Sequence, residues 1–331
     1  MRISLLGRFA LCASAAIAFP TGCGATATTA NGRGPLPEIR ARASQQNSGS
    51  TYKVIKGLLF VALSDPERPY DDVQVYDVGK ANPKPLADIT DGVSQPQSVC
   101  IDGNQTLYVT NGNGGGGWIS EYSLGSTSPK TTISQGVDGP TFCAIDSHGN
   151  LWVTNRGSVN VTEYLQGSSV PNKVITNGLT YPLGIAIDHA GTMYVANHDG
   201  SSDANVQVYR RGQTSPSRTI TTGVKWPDGI GVDAAGTLYV TNIIPGNLKE
   251  YHPGSSKPYH AITQEMNGPI AITFSPNGWM YVSNLGAQGG GSGPASTILE
   301  FPPGSQTPAK KRITQGLYLP GGTAFYPPAL P

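Results

Sequence analysis

Charge is what this chain has least of. Charged residues fill 13% of 331 positions, about half the share of an ordinary soluble protein, and the net charge is +1. The basic cluster Lys310-Lys311-Arg312 reads as a solvated strand face. Such a surface has no electrostatic footprint for a phosphate backbone, so nucleic acid is excluded as a partner. Histidine is scarce too, with five in the chain. Helical periodicity of useful length is missing after the first two dozen or so residues. The apolar run from Phe9 to Phe19 is too short to span a bilayer as a stable helix.

That short run, preceded by Arg2 and Arg8, has the layout of an export signal. It ends at Pro20-Thr21-Gly22-Cys23, which resembles the lipobox of bacterial lipoproteins. Gly22 and Cys23 match that pattern, while Pro20 stands where leucine is usual. The resemblance implies lipidation at Cys23, with a lipid anchor as the one membrane contact. Residues 24–50 are rich in Ala, Thr, Gly, Ser and Gln and read as a flexible tether. The folded part is therefore expected over 51–331, in an extracytoplasmic compartment of the cell envelope.

Glycine, by contrast, is plentiful, with 43 residues, nearly double its usual share. Many of these glycines fall in a repeat. An aromatic residue is followed three positions later by glycine and four beyond that by proline. The copies begin at Tyr76, Tyr122, Tyr164, Tyr209, Tyr251 and Phe301. A unit of roughly 40–50 residues recurring this often marks a repeat architecture.

Each unit opens on a proline: Pro96, Pro140, Pro182, Pro227, Pro269 and Pro320. A strand with one parity small and the other large and branched follows, as in Gly184-Ile185-Ala186-Ile187, which implies burial on both faces. An Asp-x-x-Gly turn such as Asp146 to Gly149 comes next. A second strand ends in asparagine: LYVTN at 107–111, LWVTN at 151–155, MYVAN at 193–197, LYVTN at 238–242 and MYVSN at 280–284. These asparagines are expected to bond backbone rather than ligand. A third strand carries the repeating aromatic, and a fourth ends the unit. Four antiparallel strands per unit make one blade of a β-propeller. Residues 58–90 lack a first strand, and Gly322-Thr323-Ala324-Phe325 is a first strand without successors. The C-terminal strand should complete the N-terminal blade, giving an all-β, six-bladed ring and, with its edges closed, a monomer.

Cys12 lies in the signal and Cys23 at its end, which leaves Cys100 and Cys143. Export would permit a disulfide. In the repeat register, however, the two fall one position apart on equivalent strands and point to opposite faces. Two separate buried thiols are expected.

The stretch Pro227-Asp228-Gly229-Ile230-Gly231-Val232-Asp233-Ala234-Ala235-Gly236-Thr237-Leu238-Tyr239-Val240 resembles an NHL-type propeller repeat, and the Tyr-Val-Thr-Asn tetrads resemble the YVTN repeat family. The resemblance covers essentially 57–327 and implies the propeller; scaffolds, binders and enzymes share it. Propellers of the gluconolactonase-like family hold a divalent cation at the channel mouth. That resemblance would make Asp228 a ligand, yet Leu183 stands where the family has asparagine. One carboxylate is a poor hard-cation site, so no cofactor is expected.

The positions after the prolines, Gln97, Thr141, Leu183, Asp228, Ile270 and Gly321, should ring one mouth of the channel. On that face, which also carries the loops between second and third strands, Gln97, Thr141 and Asp228 are the candidate polar contacts. The long loops at 64–71, 112–117 and 285–295 belong to consecutive blades, and Arg68 and Tyr70 offer binding anchors there. The expected function is a ligand- or protein-binding or scaffold module; the competing expectation is an enzyme, a metal-dependent lactone hydrolase or a streptogramin-lyase-like propeller.

Overall fold

The structure is a computed structural model that describes residues 57–64, 71–112, 116–198, 204–286, 295–310 and 312–329. Regular structure among them is β throughout. Blade one holds β1 (Leu58–Leu63), β2 (Asp72–Asp77) and β3 (Ala87–Ile89); blade two holds β4 (Pro96–Ile101), β5 (Thr106–Asn111), β6 (Trp118–Ser123) and β7 (Thr131–Ile133). Blade three is β8 (Pro140–Ile145), β9 (Leu151–Asn155), β10 (Asn160–Tyr164) and β11 (Pro171–Ile175). Blade four is β12 (Pro182–Ile187), β13 (Met193–Asn197), β14 (Asn205–Tyr209) and β15 (Arg218–Ile220). Blade five is β16 (Pro227–Val232), β17 (Leu238–Asn242), β18 (Asn247–Tyr251) and β19 (His260–Ile262). Blade six is β20 (Pro269–Phe274), β21 (Met280–Asn284), β22 (Thr297–Phe301) and β23 (Arg312–Ile313). The last strand, β24 (Pro320–Tyr326), returns to blade one, whose order is β24-β1-β2-β3. Leu59 pairs with Phe325 and Phe60 with Ala324. The ring of six four-stranded sheets is thus closed by the chain's own C-terminal strand.

Apolar residues are buried in six layers, each between two neighbouring blades. Between blades two and three lie Tyr108, Ile119 and Ile133 against Leu151, Val153 and Tyr164. Between six and one lie Tyr281 and Ile298 against Leu59, Val61 and Phe325. Each fully buried side chain contributes roughly 1.5–3 kcal/mol. Both faces of every blade supply such residues, which is why both parities of the inner strands are apolar.

The repeated residues tie one blade to the next. Tyr122, Tyr164, Tyr209 and Tyr251 donate their hydroxyls to the carbonyls of Asp91 (2.7 Å), Gln135 (2.7 Å), Asn177 (2.6 Å) and Thr222 (2.9 Å). Tyr76 makes the same bond to Gln315 across the closure, at 2.9 Å. Phe301 lacks the hydroxyl; there Arg312 pairs with Glu265 instead. Asn111, Asn155, Asn197, Asn242 and Asn284 each accept an N–H from the residue 17 positions earlier, in the loop entering the blade. Their duty is to hold backbone, as expected.

Each inner strand begins at its proline, where a missing N–H leaves no gap in the ladder, and its pairing register shifts just beyond. Threonine fills that irregularity. Thr154 accepts the N–H of Phe142 at 2.9 Å and donates to the carbonyl of Leu183, in the next blade, at 2.6 Å. Thr110 does the same for Ser98 (2.9 Å) and Thr141 (2.7 Å).

The two cysteines correct the sequence reading. Cys100 and Cys143 form a disulfide, with Cα atoms 6.0 Å apart. Within one sheet, opposite parities do point apart. Between neighbouring radial sheets the rule inverts, because the facing surfaces are the opposite faces of equivalent strands. Cys100 on β4 looks toward blade three, and Cys143 on β8 looks back toward blade two.

Three outcomes follow for stability. Deleting 320–331 should give insoluble protein or a sharply lowered Tm, and an unchanged melting curve would contradict the closure. Thr154→Val should cost about 1–3 kcal/mol in urea unfolding, because it removes the side-chain acceptor of the half-buried Phe142 N–H and the shorter of two hydroxyl bonds to the Leu183 carbonyl. Replacing Cys100 and Cys143 together with alanine should cost about 2–4 kcal/mol, and the wild type should take up alkylating reagent at these two cysteines only after reduction.

Candidate functional site

The two ends of the ring differ. At the proline end, Gly184, Gly229 and Gly322 occupy one register level of three inner strands. A Cβ on Gly184 would collide with the carbonyl of Asp228, and one on Gly229 would lie 2.8 Å from the Cα of Ala271. One on Gly322 would lie 2.7 Å from the Cα of Ser98. Glycine lets neighbouring backbones meet there.

Past that level toward the Asp-x-x-Gly turns, the channel opens into a cavity of about 440 Å³. Its wall takes one large apolar residue from the same register position of every blade: Ile101, Ile145, Ile187, Val232, Phe274 and Phe325. Ile187, Val232 and Phe274, in blades four to six, are half-buried and keep apolar surface open to the cavity, while Ile101, Ile145 and Phe325 are buried. The Cys100–Cys143 bridge is part of the wall. Asp188, His189, Asp233 and Ser275 stand at the turn-side rim.

The rim carboxylates are already engaged. Asp188 accepts the N–H groups of Ala190 (2.9 Å) and Thr192 (2.8 Å) and the hydroxyl of Tyr194 (3.3 Å). Asp233 repeats the set with Ala235 (2.9 Å), Thr237 (2.8 Å) and Tyr239 (3.1 Å). Burial, reinforced by Asp188, pushes the Tyr194 hydroxyl up to about 12, so it stays a neutral donor at physiological pH. In blade three, burial raises the carboxyl of Asp146, but hydrogen bonds from Trp152 Nε1, from the backbone of Asn150 and His148, and from the Asn150 side chain outweigh it and hold the group below its ordinary value.

The residues expected at the proline-end mouth lie at the opposite end of the ring from this cavity. Thr141 is buried, with its hydroxyl 2.8 Å from that of Thr154. Gln97 donates to the carbonyl of Gln95 at 2.9 Å. Asp228 is buried. None of the three lines the cavity. Arg68, Tyr70 and Cys23 lie outside the described residues, as do most of the three long loops. Among the described residues, no three His, Cys, Asp or Glu side chains gather as a metal cluster. The histidines are dispersed: His198 is buried edge-on to Trp226 at 4.4 Å, His252 stacks on Tyr259 at 3.9 Å, and His148 meets Arg211 at 2.7 Å.

The apolar ring was missed from sequence, although its signal is present. The residue before each turn is large and apolar in every unit, but strand alternation alone does not say that this position reaches the axis.

The fold defines the chain as a six-bladed β-propeller. A chain from a nidogen/laminin complex matches with a TM-score of 0.63 and 15% identity, over 81% of this chain and 98% of that one. A protein of unknown function from Bacteroides caccae matches with a TM-score of 0.64 and 10% identity, over the same shares. Hydrazine synthase of Kuenenia stuttgartiensis matches over 64% of each chain, at 19% identity and a TM-score of 0.51. No protein-family model matches the chain, and no curated protein matches it. At these identities the likeness is one of fold.

The Asp146 arrangement sets a pH dependence. A carboxyl held below its unfolded value contributes stability that is present above the unfolded pKa and lost as pH falls through the folded one. Tm measured from pH 5 downward should therefore fall less steeply in Asp146→Asn than in wild type, with the two curves converging below the ordinary value of 3.8. Parallel curves throughout would remove Asp146 as a source of acid sensitivity.

Proposed function

We propose that this chain is an exported binding propeller of the cell envelope, anchored through Cys23, whose ligand seat is the cavity at the turn end. The cavity carries this reading. Its size falls in the ordinary range of small-molecule sites, and every blade contributes one equivalent apolar residue to its wall. Its described lining holds aliphatic and aromatic groups, a disulfide, two turn-bound carboxylates, one histidine and the hydroxyls of Thr273, Ser275 and Thr323, a set suited to holding a small molecule. The fold neighbour in a nidogen/laminin complex is in keeping with propellers that bind, at the level of architecture.

Two features support export. The first is the run from Phe9 to Phe19 ahead of Gly22-Cys23. The second is the Cys100–Cys143 disulfide, of a kind that persists in oxidising compartments and is rare in the cytosol. Acyl chains at Cys23 would supply the affinity for the bilayer.

Fractionation of cells expressing wild type and Cys23→Ala tests the reading. Wild type is expected in the membrane fraction and the variant in the soluble extracytoplasmic or secreted fraction, both with Cys100 and Cys143 oxidised. Equal membrane association of the two forms would rule out lipid as the anchor. Retention of both in the cytoplasm with free thiols would overturn export itself.

A further inference from the structure

From the wall and rim of the turn-end cavity we infer the class of its ligand: an uncharged, largely hydrocarbon small molecule with one hydrogen-bond-donating end. This rests on the reading of the chain as a binding propeller with its seat in that cavity. The ring Ile101, Ile145, Ile187, Val232, Phe274 and Phe325 surrounds the ligand body, with Thr273 and Thr323 as the hydroxyl-bearing side chains of the wall. A molecule polar along its length would give up more water hydrogen bonds than two hydroxyls replace, whereas a largely apolar one gains from leaving water.

The polar end is set by the rim. Asp188 and Asp233 line it with Ser275 and His189, and no lysine or arginine does among the described residues. Each carboxylate already accepts hydrogen bonds within its own turn, and a carboxylate has about four acceptor sites. A hydroxyl or amine N–H on the ligand can therefore donate to them without disturbing the turns. A fatty-acid carboxylate would meet two like charges, with one histidine, His189, as the basic side chain beside them. The floor fixes the orientation: the glycine level brings the inner strands into backbone contact, so the hydrocarbon end points inward and the donor outward.

N-phenyl-1-naphthylamine, neutral and carrying one N–H, is the probe. Its fluorescence is titrated with the full chain, wild type beside Val232→Trp and Ile187→Trp, so that dye taken up by the apolar run at 9–19 cancels in the comparison. The two plugs should each weaken the saturable component at least tenfold with unchanged circular dichroism. On wild type, 1-decanol should displace the dye at concentrations at least tenfold below those needed for decanoate. A second measurement needs no variant: an uncharged alkyl diazirine photolysed on wild type should mark peptides of the inner strands β8, β12 and β16.

Equal dye affinity in both plugs, or marking confined to peptides carrying the exposed residues Leu165, Val170 and Val174, would overturn the proposal. Equal displacement by decanoate and decanol would overturn its charge preference. Failure of the ligand class stays distinct from failure of the seat. If the dye does not bind but a polar compound from a thermal-shift screen does, and both plugs abolish that binding, the cavity is the seat and the class is wrong. If no compound's binding depends on Val232 or Ile187, the binding reading of the cavity falls with it.

Discussion

Everything in this molecule depends on sheets standing face to face around an axis. A single four-stranded meander cannot bury both of its faces, and each blade here has two apolar ones. Stability is therefore a property of neighbouring pairs: each of six interfaces buries its own apolar layer. A repeat array of this kind gains nearest-neighbour terms, and a ring gains one more than an open stack. The ring is closed by the pairing of β24 with β1 inside blade one, from opposite ends of the chain, so the C-terminal strand is as structural as any internal strand. Long-range closure also removes the exposed edges that the first and last inner faces would otherwise offer.

Directional bonds then fix how the blades sit. Packing alone tolerates sliding of one sheet over another, whereas the tyrosine hydroxyls, strand-end asparagines and inner-strand threonines specify position. Each is worth about 1 kcal/mol net, less than a single buried isoleucine. Their weight lies in the cost of breaking them, since a buried carbonyl left alone costs more than the bond gained. This is why the Thr of the Tyr-Val-Thr-Asn tetrad matters in blades two and three, where it bridges to the next blade. Blade four has Ala196 at that position, and there Gly184 draws its inner strand against blade five by close approach instead. A hydroxyl bridge and a glycine contact are two solutions to the same demand.

The sequence discloses the fold because propeller physics is local to the repeat. Proline at the first inner-strand position, Asp-x-x-Gly at the turn and glycine after the aromatic each obey short-range rules, and six copies average out the noise. The end units disclosed closure, since one lacked the strand that the other had to spare. What failed was inference across blades. The parity rule for Cys100 and Cys143 holds within a sheet and reverses between radial sheets. Thr141 shows a related ambiguity: it is polar and follows a proline, and its hydroxyl lies within the bonding network of Thr154 and Leu183. Nothing in the repeat pattern separates a polar group that faces a channel from one that staples two blades. Arg68 and Tyr70 lie in a loop that the repeat does not constrain.

The position of the cavity follows from the same constraint. Inner strands around a ring can approach only as closely as their side chains allow, so residue size at each register level sets the bore. Glycine at the 184, 229 and 322 level brings backbones into contact, and three residues later isoleucine, valine and phenylalanine hold them apart. The bore must therefore widen toward the turns. Its wall is mostly apolar, because the side chains that hold the strands apart belong to the layers between the blades; Thr273 and Thr323 are hydroxyl-bearing exceptions. Further polar atoms within those layers would come at a cost to two interfaces at once. At the turn-side rim the side chains leave the layers between the blades, and there Asp188, His189, Asp233 and Ser275 bring polar atoms to the cavity.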